Sequence, residues 1–210
     1  MVILFIGDVF GRPGRKAVAD WLPDLRTRHA ADLVVVNAEN AAGGLGATPE
    51  ILQELRDAGA DAFTMGNHTW RKRVLVSKID AMTDVVRPAN YPDGVPGRPA
   101  AVVVAHNGTA VGITQVLGRV YLEPFGCPFE RARREAARLR QQTPVVLVDV
   151  HAEATSEKVA LGWYLDGQCT AVLGTHTHVP TNDARVLPGG TAYMTDVGMT
   201  GPRDGVIGVD

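Results

Sequence analysis

Leu33-Val34-Val35-Val36-Asn37-Ala38-Glu39-Asn40 passes from four consecutive apolar residues into an amide, a carboxylate and a second amide. A short continuous apolar run suits a strand covered on both faces, and the polar residues ending it fall at its carboxyl edge. The pattern recurs along the chain. Residues 2–6 lead through Gly7 to Asp8, residues 62–65 through Gly66 to Asn67 and His68, residues 145–150 directly to His151, and residues 171–173 through Gly174 to His176 and His178. Further runs at 101–105, 111–116 and 191–194 read as strands. The first two are joined by His106-Asn107-Gly108, whose Asn-Gly pair signals a hairpin. Helices are predicted at 14–28 behind Pro13, at 49–58 with Thr48 as N-cap and Pro49 at the first helical position, and at 71–81, 128–142 and 156–165. This order predicts an α/β fold built in layers rather than a helical bundle.

With 210 residues and no repeat, linker or low-complexity tract, the expectation is one domain over residues 1–210. Residues 206–210 read as the start of a further strand, so the native chain is expected to continue. The formal net charge of −2 argues against a scaffold that binds nucleic acid by bulk electrostatics. No apolar run approaches the ~18 residues of a membrane span, so no membrane partner is expected. The N-terminal residues lack a basic segment and meet Asp8 early, unlike a signal peptide, and the expected compartment is the cytoplasm. Cys127 and Cys169 are too few and too separated for a disulfide framework or a zinc knuckle.

Five strands thus deliver a carboxylate, amide or imidazole to the edge where α/β sheets collect their ligands. Two imidazoles with several oxygen donors suit manganese, iron or zinc. In an extended chain His176 and His178, two apart, would share a face. Asp, Glu, Asn and three His are too many for one ion that keeps an open position. They suit two ions sharing a bridging carboxylate, the arrangement used for in-line displacement at phosphorus. Any one of these histidines alone reads as an ordinary hydrogen-bonded core residue; the joint placement at strand ends is what points to a site.

Gly7-Asp8, Asn37-Ala38-Glu39-Asn40, Gly66-Asn67-His68-Thr69, His151 and Gly174-Thr175-His176-Thr177-His178 resemble, in order, the sequence blocks of the calcineurin-like metallophosphoesterases. Residues 5–15, 87–92, 151–158 and 161–167 resemble more closely the bacterial YmdB-like subfamily of 2′,3′-cyclic-nucleotide phosphodiesterases, and the likeness runs to Gly208. The resemblance implies a four-layer α/β/β/α sandwich with mixed sheets and helices outside. It implies that Asp8, Glu39, Asn40 and His178 surround one metal, and that Glu39 bridges to a second held by Asn67, His151 and His176. His68 is implied as the catalytic imidazole beside the leaving group. Iron or manganese is expected, with zinc as a further option. Phe10 and Glu39 depart from the wider superfamily, which places a histidine and an aspartate there. The first metal thereby loses an imidazole, for which Asn40 is the expected substitute.

The implied reaction is attack on phosphorus by a hydroxide between the two ions, with protonated His68 as general acid, a role typically contributing ~10²–10⁴-fold. His68 reads otherwise as a hydrogen-bonding residue beside the ligands. Phosphomonoesterase or ribonuclease chemistry is the alternative within the enzyme class, and a non-catalytic metal-containing binding or regulatory protein the alternative outside it. The dinucleotide-fold reading fails because the glycines at 7, 11 and 14 do not match G-x-G-x-x-G. Several other features carry two readings each. Arg12, Arg15 and Lys16 could steer a phosphate or form a solvated face, and Glu153 could orient an imidazole or cap a helix. Gly43-Gly44-Leu45-Gly46 could close over substrate or be a plain turn, and Asp196 could line the pocket. The arginines between 130 and 140 read as an amphipathic helix face, with RNA contact a weaker reading. Trp70, Trp163 and Tyr164 read as core or interface residues, so homo-oligomerisation stays open.

Overall fold

A computed structural model describes residues 1–209. Strands β1 (Ile3–Ile6), β2 (Leu33–Asn37), β3 (Ala62–Thr64) and β4 (Val85–Val86) form a parallel sheet in that order. A second sheet runs β5 (Ala100–Val104), β6 (Ala110–Leu117), β7 (Val145–His151), β8 (Ala171–Thr175), β10 (Ala192–Met194), β9 (Arg185–Val186). Strands β6, β7, β8 and β10 are parallel, while β5 and β9 are antiparallel edge partners. Helices α1 (Gly11–Arg28) and α2 (Pro49–Asp57) cover the first sheet; α4 (Pro128–Arg140) and α5 (Thr155–Tyr164) cover the second.

The alternation of side chains explains why the apolar runs are continuous. In β2, Val34 and Val36 pack with Val18 and Leu22 of α1, while Leu33 and Val35 turn inward to meet Ile113, Leu147 and Ala171 of the other sheet. In β7, Val146, Val148 and Val150 meet Ala132, Ala136 and Leu139 of α4 and Leu161 of α5. The result is the expected α/β/β/α sandwich, with an apolar seam between the sheets. One step further toward the carboxyl edges the seam changes character. Asn37, Gln115, Asp149 and Thr175 continue the inward rows of Val35, Ile113, Leu147 and Leu173, all four of them buried. Burying such groups is tolerable only because they bond one another.

Local signals place the helices. Thr48 accepts a hydrogen bond from the amide of Ile51 with Pro49 behind it, a cap worth about 1 kcal/mol. Helix α1 begins at Gly11, three residues before the expected start, because Pro13 falls in the first turn, where a missing N–H costs nothing. The helix predicted at 71–81 is instead α3 (Arg73–Val76) and a 3₁₀ turn at Ile79–Ala81. The Ser77 hydroxyl donates to the Val74 carbonyl, and the Asp80 carboxylate accepts from the Gly97 amide, so each turn is tied to something other than a continuing helix. Two-residue strands β4 and β9 were too short to show periodicity. The Asn107-Gly108 hairpin forms as expected. Residues 206–209 do not begin a strand: Val206 and Val209 exchange backbone hydrogen bonds around a tight turn, which the positive φ of Gly208 permits. Asp210 lies outside the described residues. No helix among the described residues is long and apolar enough to cross a membrane.

Candidate metal centre

The carboxyl ends of β1, β2, β3, β7 and β8 meet above the polar part of the seam. Glu39, at the end of β2, is fully buried and stands at the centre. Its Oε1 lies 3.0 Å from His151 Nε2, and its Oε2 accepts the backbone N–H of His68 at 2.9 Å. Asn67 Oδ1 and His176 Nδ1 lie 3.0 and 3.1 Å from the same His151 nitrogen. Glu39, His151 and His176 offer donor atoms all within 4.8 Å of one another. Beside them, Asp8 Oδ2 accepts the backbone N–H of His176 at 3.0 Å, while Asp8 Oδ1 is buried with no hydrogen-bond partner, 3.8 Å from His178 Nε2.

Each histidine has its outward nitrogen on an acceptor. His151 Nδ1 is 2.8 Å from Thr175 Oγ1, His176 Nε2 is 3.2 Å from Glu153 Oε2, and His178 Nδ1 is 2.8 Å from the Ile207 carbonyl. An imidazole that donates on one side presents a lone pair on the other. The lone pairs of His151 and His176 therefore face the Glu39 carboxylate and the Asn67 oxygen, and that of His178 faces Asp8 and the Asn40 side-chain amide. The orphaned Asp8 oxygen and this surplus of lone pairs fit divalent cations, the donor set being one of oxygen and imidazole nitrogen.

The electrostatics say the same. Burial raises the Asp8 carboxyl to about 7. Burial also works against the charge of Glu39, but the neighbouring His151 pulls its pKa down; reciprocally, burial opposes the His151 imidazolium while Glu39 pushes its pKa up. Burial, then the His151 charge, lowers His176 to about 3. The cluster demands positive charge, and with no cation a proton on His151 supplies it.

Asn40 stands between two histidines. Its Nδ2 lies 3.1 Å from Glu39 Oε1 and 3.0 Å from His178 Nε2, and its Oδ1 lies 2.9 Å from His68 Nδ1. A cation beside His178 requires this amide in the opposite orientation, oxygen inward. His68 reaches the surface of a cavity of about 520 Å³ that is also lined by Phe10, Gly44, Leu45, Glu153 and Ile207. Phe10 meets the His178 ring edge-on at 5.7 Å between centroids, filling the place where the superfamily pattern has a histidine.

Gly66 makes the approach of the elements feasible. A Cβ there would lie 2.1 Å from Glu39 Oε2 and 2.6 Å from His151 Nε2. The segment 176–178 is not extended, so the two histidines do not share a face by alternation. Both sit at positive φ, +97° and +65°, and point to different neighbours. Asp196 pins this strained segment. Its Oδ2 accepts from the Thr177 amide and hydroxyl and from the fully buried Lys158 ammonium at 2.5 Å. Asp196 therefore braces the histidine loop and does not line the cavity, contrary to expectation.

Other candidates resolve simply. Glu153 orients His176. Arg15 is engaged with Glu54 and the Ala41 carbonyl, and Lys16 with Asp20, so neither faces the cavity. On α4, Arg131 and Arg138 pair with Asp93 and Glu135. Trp70 stacks on Tyr91, whose hydroxyl donates to the Gly66 carbonyl. Sequence reading missed Asp149, Thr175, Gln115 and Lys158. Asp149 was the one with a visible signal: a carboxylate inside the otherwise apolar run 145–150.

The family profile described as YmdB-like protein matches residues 4–210. The chain belongs to the YmdB-like family. A Bacillus subtilis (strain 168) relative of this YmdB-like chain, named 2′,3′-cyclic-nucleotide 2′-phosphodiesterase, is 51% identical over 210 residues, covering 100% of this chain and 79% of that protein. A crystal structure of a hypothetical protein from Thermus thermophilus superposes with a TM-score of 0.90 at 48% identity, covering 99% and 80% of the two chains. The crystal structure of a novel phosphatase from Mycoplasma pneumoniae gives 0.90 at 39%, covering 98% and 75%. The α/β/β/α layering described above is thus that of a YmdB-like metallophosphoesterase.

Proposed function

We propose that this YmdB-like chain is a two-metal phosphodiesterase that opens 2′,3′-cyclic nucleotides, with residues 1–210 acting as one metallophosphoesterase domain. The observation that carries the reading is the convergence of three imidazoles, each with its outward nitrogen on an acceptor, upon Asp8, Glu39 and Asn67. The name of the Bacillus subtilis relative supports the substrate class. Asp8, Glu39, Asn40 and His178 would hold one cation; Glu39, Asn67, His151 and His176 would hold the other. Iron or manganese suits this mixture of donors, and zinc does also. When bound, such ions supply Lewis acidity that makes water a nucleophile near neutral pH and offsets the charge of the phosphate oxygens.

The protein groups do the rest. Glu39 and Asn67 come from the first sheet and His151 and His176 from the second, so a phosphate held through these residues would lie where the two sheets meet. Water adds to phosphorus and gives up one proton to solvent, the bond to the ribose 2′ oxygen breaks, and His68 gives that oxygen its proton and is then reprotonated from solvent, leaving a nucleoside 3′-phosphate. Burial lowers the His68 pKa, opposed by Glu39, and with Asn40 turned oxygen-inward its NH2 faces His68 Nδ1, so the proton His68 delivers is the one on Nε2. Phe10, Leu45 and Ile207 form an apolar wall suited to the nucleoside.

The test is turnover of a chromogenic phosphodiester by protein loaded with manganese, iron or zinc, followed by 2′,3′-cyclic AMP, 3′,5′-cyclic AMP and an RNA oligonucleotide. Selective hydrolysis of the 2′,3′ compound is expected. Preference for RNA would assign a ribonuclease, and no turnover with any metal would leave a binding role. His68→Ala should retain metal and lose ~10²–10⁴-fold in rate; loss of metal would make His68 a ligand instead.

A further inference from the structure

Asp149 is a buried carboxylate with no place in the proposed ligand set and no contact with the cavity. It lies two residues before His151 in β7, paired in register with Gln115 of β6 on one side and Leu173 of β8 on the other. Every group bonded to it is a donor. The Thr175 hydroxyl reaches Oδ1 at 2.7 Å, and the side-chain amides of Gln115 and Asn37 reach Oδ2 at 2.7 and 3.2 Å.

A threonine hydroxyl has a single proton. Because Asp149 takes it, Thr175 Oγ1 can offer only lone pairs to His151 Nδ1, 2.8 Å away. Nδ1 must then carry hydrogen, and once a cation replaces the extra proton, Nε2, the nitrogen facing Glu39 and Asn67, is the one left bare. We infer that Asp149, acting through Thr175, is a positioning residue that sets the His151 tautomer for metal coordination. Without the carboxylate, the hydroxyl is free to turn and donate to Nδ1. His151 would then carry its proton on Nε2, pointed at Glu39, and compete with the cation for the same space.

The same carboxylate ties together the halves of the site. Gln115 and Asn37 also donate to the Met65 carbonyl, at 2.6 and 2.8 Å, just before the loop that carries Asn67 and His68. Asn37 and Met65 belong to the first sheet side, and Gln115, Asp149 and Thr175 to the second. The relay therefore holds His151 in orientation relative to the opposing sheet as well as in tautomer.

This inference rests on the reading of His151 as a ligand, and the experiment separates the two. Manganese binding is measured by calorimetry and elemental analysis for the wild type, Thr175→Val, Thr175→Ser and Asp149→Asn. Zinc-loaded wild type is examined by long-range ¹H–¹⁵N spectra of its histidines. Thr175→Val and Asp149→Asn should weaken one manganese equivalent about 10–100-fold, as loss of a ligand's outer partner does elsewhere, and Thr175→Ser should restore it. His151 should show a protonated Nδ1 and a zinc-bound Nε2. Wild-type affinity in both weakened variants would overturn the relay while leaving the site standing. An unprotonated Nδ1 in the wild type would overturn it even if the variants failed to fold. Absence of any manganese binding by the wild type would overturn both the relay and the proposed site.

Discussion

Replacing Gly66 by alanine adds one carbon at the most crowded point of the site. The added Cβ would lie 2.1 Å from Glu39 Oε2, 2.6 Å from Glu39 Cδ and 2.6 Å from His151 Nε2. Real Cβ contacts do not fall below 3.0 Å, so the carboxylate or the β3 loop must yield by about 0.9 Å. Neither is loose: Glu39 is held by the His68 amide at 2.9 Å and by His151 at 3.0 Å. Overpacking of this kind costs about 1–3 kcal/mol, which for a chain of this length lowers Tm by about 2–4 °C per kcal/mol. Metal–ligand distances hold to within about 0.2 Å of their usual values. Gly66→Ala should therefore stay folded with a modestly lower Tm and lose most of its bound metal. Calorimetric unfolding, elemental analysis and phosphodiester turnover measure the three effects together. Full metal content with wild-type rate would refute the claim that Glu39 and Gly66 share this space.

Three further outcomes follow from the same geometry. Glu39→Gln removes the charge both proposed cations share, so elemental analysis should show both equivalents depleted; one retained at full affinity would deny the bridging role. Asp196→Asn breaks a fully buried pair with Lys158 and loosens Thr177, and urea unfolding should show a loss of about 3–5 kcal/mol. Replacing Lys158 by methionine in the Asp196→Asn background should recover part of it. In chelated protein, Asp8 with a folded pKa near 7 against an ordinary 3.8 keeps a proton that the unfolded chain releases. Stability should accordingly fall as pH rises from about 4 to 7, by about 4 kcal/mol for this group. His151, its pKa raised, adds loss in the same direction above its ordinary value of 6.5. His176, lowered to about 3, acts in the opposite sense below 6.5, so the Asp8 contribution is read from the difference between wild type and Asp8→Asn. Urea melts across this range in wild type and Asp8→Asn should differ by that slope, and a divalent metal should abolish it.

Much of this protein is written locally. Four or five apolar residues followed by glycine and a polar group mark a strand and its edge, because chain direction and alternate-face burial are properties of neighbouring residues. On that basis Asp8, Glu39, Asn40, Asn67, His68, His151, His176 and His178 are assigned to one edge by the sequence itself, and Thr48-Pro49 and Asn107-Gly108 announce a helix start and a hairpin. The tertiary structure alone decided who meets whom. Asn37 reaches Asp149 across 112 residues of sequence, and no periodicity in either strand records that encounter. Thr175 reads as an ordinary strand residue until Asp149 takes its proton and His151 uses its lone pair. His176 and His178 diverge because Asp196 and Lys158, from different elements, hold the intervening Thr177 in a strained turn. Local pattern specifies which face is buried; the direction of a hydrogen bond or the lone pair left for a cation exists only once distant donors and acceptors are enclosed together away from water.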